Sequence, residues 1–390
     1  MKTKFSTLCW LFVLLTLLTA CASAAPNQPP AAAETSSVAI PVLSGENQSS
    51  SDAYPAPTQL PQPTAVAEQP YPAPGSPVVP AEQSSSAYPA PGESAPIVQA
   101  GGETLRIAVL PIVDNLPMVV AQREGLFAKY GLQVEFTQVA SAAERDQVIM
   151  AGQADGMINE IISTLLYNKE NIQVQIVRFA RLATPESAQY HLVVSASSGI
   201  NQVSQLKGVP IGISQGTIIE YITDRLLERE GFQPQDIQKI PVPKIPDRLA
   251  LLSSGELKAA TLPDPFSYLA VQQGGRFLLQ DSKYPEYGHS TYAFRKAVID
   301  QKPQAVRAFL AAIEEAVMRI NLSPAQYASL LVNQKLIPAP LAGSYQTPPF
   351  PPKSIPDERL WNDVLAWATA KGIVTTPVSF ADSVSGAFLP

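Results

Sequence analysis

Short apolar runs alternate with helical repeats in the first part of the folded region. The run 104–110 predicts a buried strand, and apolar residues from Val119 to Phe127 recur at the spacing of a helix that follows it. The run 134–139 predicts the next strand, and a capping pattern at 141–144 predicts a second helix. This alternation is typical of a sheet covered by helices, so the predicted fold class is α/β.

The same order of elements returns in a second unit. The run 209–214 predicts a strand and 218–230 predicts the helix after it. Segments 151–156 and 254–259 each end a helix near a glycine and begin a short strand. Two similar halves of this kind predict two similar lobes. The last third, from about residue 303, is predicted to be mainly helical.

The N-terminus carries a signal pattern. Met1, Lys2 and Lys4 precede an apolar stretch that is short for a permanent membrane span, and Leu18-Thr19-Ala20-Cys21 closes it. Small residues before a cysteine resemble the lipobox of bacterial lipoproteins. We therefore expect a signal peptide at 1–21, lipidation (palmitate included) at Cys21, and an extracytoplasmic place at a bacterial membrane. The alternative is an ordinary secretory signal cut near Ala24.

Residues 22–102 have the composition of a tether. They hold 16 prolines, six acids and no Lys or Arg, and Tyr-Pro-Ala-Pro recurs from Tyr54, Tyr71 and Tyr88. Such a segment buries too little apolar area to fold, so it is predicted to be disordered with polyproline II character. The net charge of -6 comes largely from these acids, and the rest is close to balanced. No basic patch favours nucleic acid.

Polar loops follow the predicted strands, where ligands bind in open α/β sheets. Helix N-termini also present N–H groups there, which favours anions or polar groups. The predicted ligand-binding residues are Asp114, Asn115, Ser141, Asn159, Glu160, Ser214, Gln215, Gly216, Thr217 and Asp264.

Charge in these loops favours a particular ligand. Three acids, Asp114, Glu160 and Asp264, lie in the loops, and an acceptor-only carboxylate repels an anion. The nearby basic residues are expected to face water, namely Arg145, Lys244 and Arg248. We therefore expect an organic solute with amino or ring-nitrogen groups, such as a thiamine-precursor pyrimidine, with an inorganic anion or sulfonate as the alternative.

Four segments in order carry a family resemblance: RIAVLPIVDNLPMVVAQREGLFAKYGLQVEF, SAAERDQVIMAGQADGMINE, LKGVPIGISQGT and LLSSGELKAATLPDPF. They resemble the solute-binding proteins of ABC importers of the nitrate/sulfonate/taurine type, which are related to thiamine-precursor binders. The resemblance covers essentially all of 103–390. It implies no catalysis and no cofactor, a monomer, hinge closure on a small solute, and an ABC permease and ATPase as partners.

The resemblance also implies a periplasmic-binding-protein-like (type II) fold with two crossings between lobes. The crossings are expected near 189–194 and 288–294. Lobe one is then about 103–191 with 292–390, and lobe two is about 192–291.

A lipid-anchored serine hydrolase is the alternative function. Gly212-Ile-Ser214-Gln-Gly216 matches the G-x-S-x-G pattern between a strand and a helix, and Asp264 and His289 follow in hydrolase order. Against it, the chain has no HGGG-type oxyanion loop, and His289 falls in an expected crossing.

Metal binding and scaffolding are two further readings. His191 and His289, with no cysteine in the folded part, make a poor ligand set, so no metal site is predicted. A surface scaffold on a stalk remains an alternative, and it predicts no cleft between lobes.

Overall fold

The computed structural model describes residues 99–390. The predicted signal peptide 1–21, its lipidation site Cys21 and residues 22–98 of the predicted tether lie outside the described residues. No helix within the described residues has the length and apolarity needed to cross a bilayer.

The folded body begins slightly before residue 103. Ala100 is buried, and its N–H donates to the carbonyl of Tyr130 at 3.0 Å. Gly102 donates to the carbonyl of Gly131 at 2.7 Å. The last residues assigned to the tether therefore belong to the body.

Strands and helices alternate along the described residues as the apolar pattern predicts. The strands are β1 Glu103–Val109, β2 Leu132–Gln138, β3 Gly156–Asn159, β4 Val174–Leu182, β5 Tyr190–Val194, β6 Ile211–Ile213, β7 Lys239–Pro241, β8 Ala259–Pro263, β9 Arg276–Gln280 and β10 His289–Arg295.

The helices cover the sheets, and the longest lies in the C-terminal third. They are α1 Leu116–Arg123, α2 Leu126–Lys129, α3 Ala142–Met150, α4 Ile161–Asn168, α5 Ile218–Arg229, α6 Ile245–Ser254, α7 Phe266–Gln272, α8 Lys296–Gln301, α9 Pro303–Leu322, α10 Ala328–Asn333, α11 Glu358–Ala370 and α12 Phe380–Ser383. Short 3-10 helices occupy Val113–Asn115, Val203–Leu206, Pro234–Asp236, Asp281–Lys283, Pro324–Tyr327 and Ala339–Leu341.

The two sheets have the same plan. Sheet one has the order β2-β1-β3-β10-β4 and sheet two has the order β7-β6-β8-β5-β9. In each, three strands are parallel and a fourth pairs antiparallel with its neighbours on both sides. The prediction of two similar α/β lobes is therefore confirmed.

The chain crosses between the lobes in the segments 183–189 and 281–288. These crossings lie earlier in the chain than the predicted 189–194 and 288–294, most of which are strands β5 and β10. All of β5 and every residue of β10 except Arg295 are buried, so neither strand shows the alternating pattern of a half-exposed strand. Lobe two accordingly begins with β5, and lobe one resumes with β10.

Local signals explain the helix ends nearest the cleft. The Ser141 hydroxyl accepts from the N–H of Glu144 at 3.1 Å, as a helix N-cap does. The Thr217 hydroxyl caps α5 by accepting from Ile219 at 3.2 Å. Gly255 ends α6 in the left-handed conformation, with φ 83°, where a side chain would be strained.

Apolar side chains of the two lobes meet beside the cleft. Leu110 and Val139 of lobe one belong to one buried cluster with Ile245 and Leu249 of lobe two. We call these four residues the apolar lips. Their contact means that the lobes are closed against one another.

Candidate functional site

A cavity of about 60 Å³ lies between the two sheets, which is room for only a few water molecules. Residues that follow β1, β3, β6 and β7 line it, so both lobes contribute the carboxyl ends of their parallel strands. This is the position at which open α/β sheets bind ligands. The cavity is therefore the candidate binding site.

Five of the ten predicted site residues line this cavity. They are Asp114, Asn159, Glu160, Ser214 and Thr217. The lining also includes four residues that are not among the predicted site residues, namely Arg145, Arg248, Tyr190 and Ser290. Most of the remaining wall is aliphatic.

The other five predicted residues do not line the cavity. The Asn115 amide donates to the carbonyl of Leu110, and Ser141 is occupied in capping α3. Gln215 is exposed, and the N–H of Gly216 donates to Glu220 at 2.8 Å, so this N–H is not available to an anion. Asp264 lies behind the wall and is described below.

On the lobe-one wall, Arg145 and Glu160 form a buried ion pair. Arg145 Nη1 lies 3.1 Å from Glu160 Oε2, and each side chain is 3% exposed. Asp146 accepts a second bond from Arg145 Nε at 2.8 Å. Burial opposes the charge of Arg145, but Asp146 and Glu160 outweigh it and raise the pKa of the guanidinium. This arginine therefore carries its own counter-ions.

A second buried pair joins Asp114 to Arg181. Arg181 Nη1 lies 3.4 Å from Asp114 Oδ1, and Asp114 Oδ2 accepts from Gln189 and Ser290 at 2.8 and 2.5 Å. Arg181 Nη2 also lies 2.7 Å from Asp264 Oδ2. The carboxylate of Asp114 is therefore already satisfied from within the protein.

Asp264 belongs to the same network rather than to the cavity wall. Its carboxylate is bound by Arg181 and by the hydroxyl of Tyr345. Burial raises the pKa of Asp264, and the Arg181 charge opposes that rise. Asp264 does not line the cavity, because Arg181 and Tyr345, which are distant from it in the sequence, bind its carboxylate.

On the lobe-two wall, Arg248 has no carboxylate partner among the described residues. Its side chain is 0% exposed, and Nη1 donates to the carbonyls of Val242 at 2.7 Å and Pro243 at 3.4 Å. Nε and Nη2 have no partner. Burial lowers the pKa of Arg248 to about 9. Gly212 lies against the Arg248 stem, and a Cβ there would come within 2.6 Å of Leu257 Cδ1, so only glycine fits beside these side chains.

The expectation that Arg145 and Arg248 face water is therefore wrong. Each lies in the first turns of a helix and points inward, because the helix packs on its sheet with that face. A sequence signal was available. The interval that separates Gly152 from Gly255 in the internal repeat also separates Arg145 from Arg248, which makes the two arginines equivalent positions.

The three residues of the alternative hydrolase triad are not assembled. His289 Nδ1 lies 3.0 Å from the carbonyl of Tyr287, and Nε2 lies 3.5 Å from the N–H of Ile161. Asp264 is bound to Arg181 and Tyr345. No hydrogen bond joins His289 to Ser214 or Asp264 in the described residues, so this structure does not bring the three residues together as a hydrogen-bonded triad.

The two histidines lie apart in aromatic surroundings. His191 stacks on Phe277 with ring centroids 4.5 Å apart, and burial lowers its pKa to about 3. His289 packs edge-on against Phe179. Within residues 99–390, no group of three or more His, Cys, Asp or Glu side chains is placed to hold a metal ion.

Two α/β lobes, joined by two crossings around a central cavity, define the periplasmic-binding-protein-like fold. The chain belongs to the NMT1-like family, whose family model matches residues 99–332. The predicted family resemblance is thereby confirmed.

Individual relatives agree with this assignment. A putative aliphatic sulfonates-binding protein of Escherichia coli is 27% identical over 155 residues, or 40% of this chain and 48% of the relative. The match thus spans about half of that relative's length. A putative thiamine biosynthesis protein of Haemophilus influenzae is 25% identical over 228 residues, or 57% of this chain and 70% of that protein.

A solved structure supports the fold. The periplasmic aliphatic sulphonate binding protein SsuA from Escherichia coli superposes with a TM-score of 0.60 at 20% identity, covering 72% of this chain and 92% of that chain. At this identity the likeness shows the fold alone.

Proposed function

We propose that this chain is an extracytoplasmic solute-binding protein that captures a compact anionic solute and delivers it to an ABC import permease. The observation that carries the proposal is Arg248, a fully buried cation in the cavity wall with two unpartnered nitrogens. A buried charge without a partner is costly, so such groups are normally paired. An anion in the cavity supplies the missing partner.

The opposite wall does not offer a competing site for a cation. Asp114 and Glu160 both line the cavity, but Arg181 and Arg145 already neutralise them. The preference for an amino or ring-nitrogen solute was based on counting free carboxylates, and these carboxylates are not free. We therefore favour the anionic alternative, which also agrees with the sulfonate named for the Escherichia coli relative.

The shape of the cavity supports a small solute with an apolar part. Leu110, Ile112 and Ile158 contribute aliphatic wall from lobe one, and Ile219 and Ile245 contribute it from lobe two. Arg248 Nε and Nη2 present two donors side by side, the geometry that binds a carboxylate or sulfonate in a bidentate manner. A small monoanion with a short aliphatic body satisfies both features.

The charge of Arg248 also links solute binding to closure of the two lobes. When the lobes close without solute, Arg248 loses water and gains no counter-ion. A bound anion removes that penalty only in the closed form, so it shifts the population toward closure. The apolar lips then cover the solute, and a ligand can leave only after they separate.

The predicted lipid anchor fits this role. Lipidation at Cys21 and the tether at 22–102 hold the body near a membrane and let it search for solute. Permease and ATPase subunits are the partners proposed from the family, and the protein acts as a monomer without catalysis. The His289 nitrogens face Tyr287 and Ile161 rather than Ser214, which favours binding over hydrolysis.

A thermal-shift screen of the full chain tests the proposal. Methanesulfonate, acetate, nitrate and bicarbonate are compared with methylammonium and an aminopyrimidine, all at one ionic strength set with chloride salts. At a hundred times its dissociation constant, a specific anion stabilises by about 2.7 kcal/mol and raises Tm. A rise produced only by the amines would overturn the assignment of an anionic solute.

A further inference from the structure

The two ends of helix α11 are anchored in different lobes. Near its start, Trp361 Nε1 donates to the carbonyl of Val378 at 3.3 Å and its ring packs against Phe380 in the C-terminal segment of lobe one. Near its end, the Trp367 ring meets Tyr221 of α5 in lobe two edge-on, with centroids 5.5 Å apart. A single rigid helix thus spans the boundary between the lobes.

Each of the helices α5 and α11 also supplies a carboxylate that binds side chains of the other. Asp363 of α11 accepts from the Tyr221 hydroxyl at 2.7 Å and from Arg225 Nε at 3.0 Å. Asp224 of α5 accepts from Trp367 Nε1 at 3.0 Å and lies 2.7 Å from Lys371 Nζ. The helix clasp is formed by Tyr221, Asp224, Arg225, Asp363, Trp367 and Lys371.

The clasp lies beside a crossing and apart from the cavity. The Tyr221 ring is 6.1 Å from the ring of Tyr287, which lies in the crossing 281–288. No member of the clasp lines the cavity. A change in the clasp therefore leaves the solute contacts intact while acting on the segment that bends when the lobes separate.

We propose that the helix clasp regulates the binding site by holding the lobes in the closed arrangement. This inference rests on the proposed function. The clasp contacts coexist with closed apolar lips, and Trp361 ties α11 to lobe one. Rotation of lobe two then draws Tyr221 and Arg225 away from Asp363. Loss of the clasp shifts the population toward the open form, as any state-specific contact does.

Hydrogen–deuterium exchange of the full chain without solute tests this inference. Asp363→Asn removes the charge on a half-exposed carboxylate, and Trp367→Phe removes the indole donor to Asp224 together with part of a buried ring. We expect exchange in peptides covering both apolar lips to accelerate about tenfold, the scale of one lost charge-assisted hydrogen bond. The control is Asp236→Asn, which breaks a 3.0 Å pair with Lys207 inside lobe two.

The outcomes separate the two proposals. Faster exchange at both lips in the clasp variants but not in the control supports the clasp. Unchanged exchange at the apolar lips in both clasp variants means that α11 moves together with lobe two, and this result overturns the proposed role of the clasp. Equal acceleration in the control overturns it as well. Because no solute is present, none of these results bears on whether Arg248 binds an anion.

Discussion

Arg145 and Arg248 occupy equivalent positions in the two lobes, and their surroundings differ. Arg145 is paired with Glu160 at 3.1 Å at the end of β3. The position in lobe two that is equivalent to Glu160 by the same repeat interval is Pro263, at the end of β8. Lobe two therefore has a proline where lobe one has the carboxylate. Both arginines and both of these residues line the cavity.

This difference shows how equivalent arginines in two similar lobes can have different roles, one in stability and one in binding. Lobe one supplies its own counter-ion, so its arginine stabilises the fold whether or not solute is bound. Lobe two lacks that counter-ion, so its arginine is satisfied only by something that enters the cavity. The buried ion pair of Arg145 stabilises the fold, whereas the equivalent Arg248, which has no counter-ion, can bind a solute.

The largest expected effect comes from breaking the pair in lobe one. Arg145→Met leaves Glu160 buried without a cation, which costs about 3–5 kcal/mol of unfolding free energy. Urea denaturation with the slope held in common measures the loss.

Arg248→Met is the matched control for that experiment. It removes a buried charge that has no counter-ion and donates only to two backbone carbonyls, so the unfolding free energy should change by less than about 1 kcal/mol. Equal losses of unfolding free energy in Arg145→Met and Arg248→Met would contradict the claim that only the lobe-one arginine stabilises the fold.

Acid is expected to act through the histidine behind the lobe-one wall. Burial lowers the pKa of His289 to about 4, and Nε2 faces the N–H of Ile161. In the unfolded chain the histidine has its ordinary pKa of 6.5, so the unfolded chain takes up the proton first. The stabilisation is therefore complete above pH 6.5 and is lost as the pH falls toward 4, by about 3 kcal/mol in total.

Comparing unfolding free energy against pH for the native chain and His289→Gln isolates this contribution. Burial raises the pKa of Asp281 to about 7, which gives a slope of opposite sign between about pH 4 and 7, so only the difference between curves is informative. Parallel curves would mean that His289 does not titrate with unfolding in this range.

The smallest expected effect comes from making lobe two resemble lobe one. Pro263→Glu places a carboxylate beside Arg248, so the stabilisation by a saturating anion, about 2.7 kcal/mol at a hundred times the dissociation constant, should be lost. The control Pro263→Gln introduces a side chain of the same shape as glutamate without its charge, and it should keep the stabilisation by the anion. The thermal shift with methanesulfonate is the measurement, and a full response in the Glu variant would contradict the comparison.

Much of the fold was predictable because its signals are local. Apolar runs predicted the strands, Ser141 and Thr217 marked helix starts, and the family resemblance implied two lobes. The crossings came from the family resemblance alone, and the buried strands β5 and β10 show no alternation that could have corrected their positions. Local pattern does not distinguish such a strand from an extended linker.

The site was only half predictable because pairing is not local. Asp264 directly follows a strand, as a ligand-binding residue does, yet Arg181 from β4 and Tyr345 from the C-terminal third bind it. Arg145 and Arg248 sit in the first turns of helices, where a charged residue usually faces water. The internal repeat, extended by a few residues, indicates that the two arginines are equivalent positions, and the structure shows that both line the wall.

The most direct test of the central claim is calorimetric titration of the native full chain and Arg248→Met with methanesulfonate. The account predicts saturable binding to the native chain and a loss of affinity of about a hundredfold in the variant, the scale of an unpaired charged hydrogen bond. Its unfolding free energy should stay within about 1 kcal/mol of the native value. Equal affinity in both proteins would contradict the claim that Arg248 receives the anion.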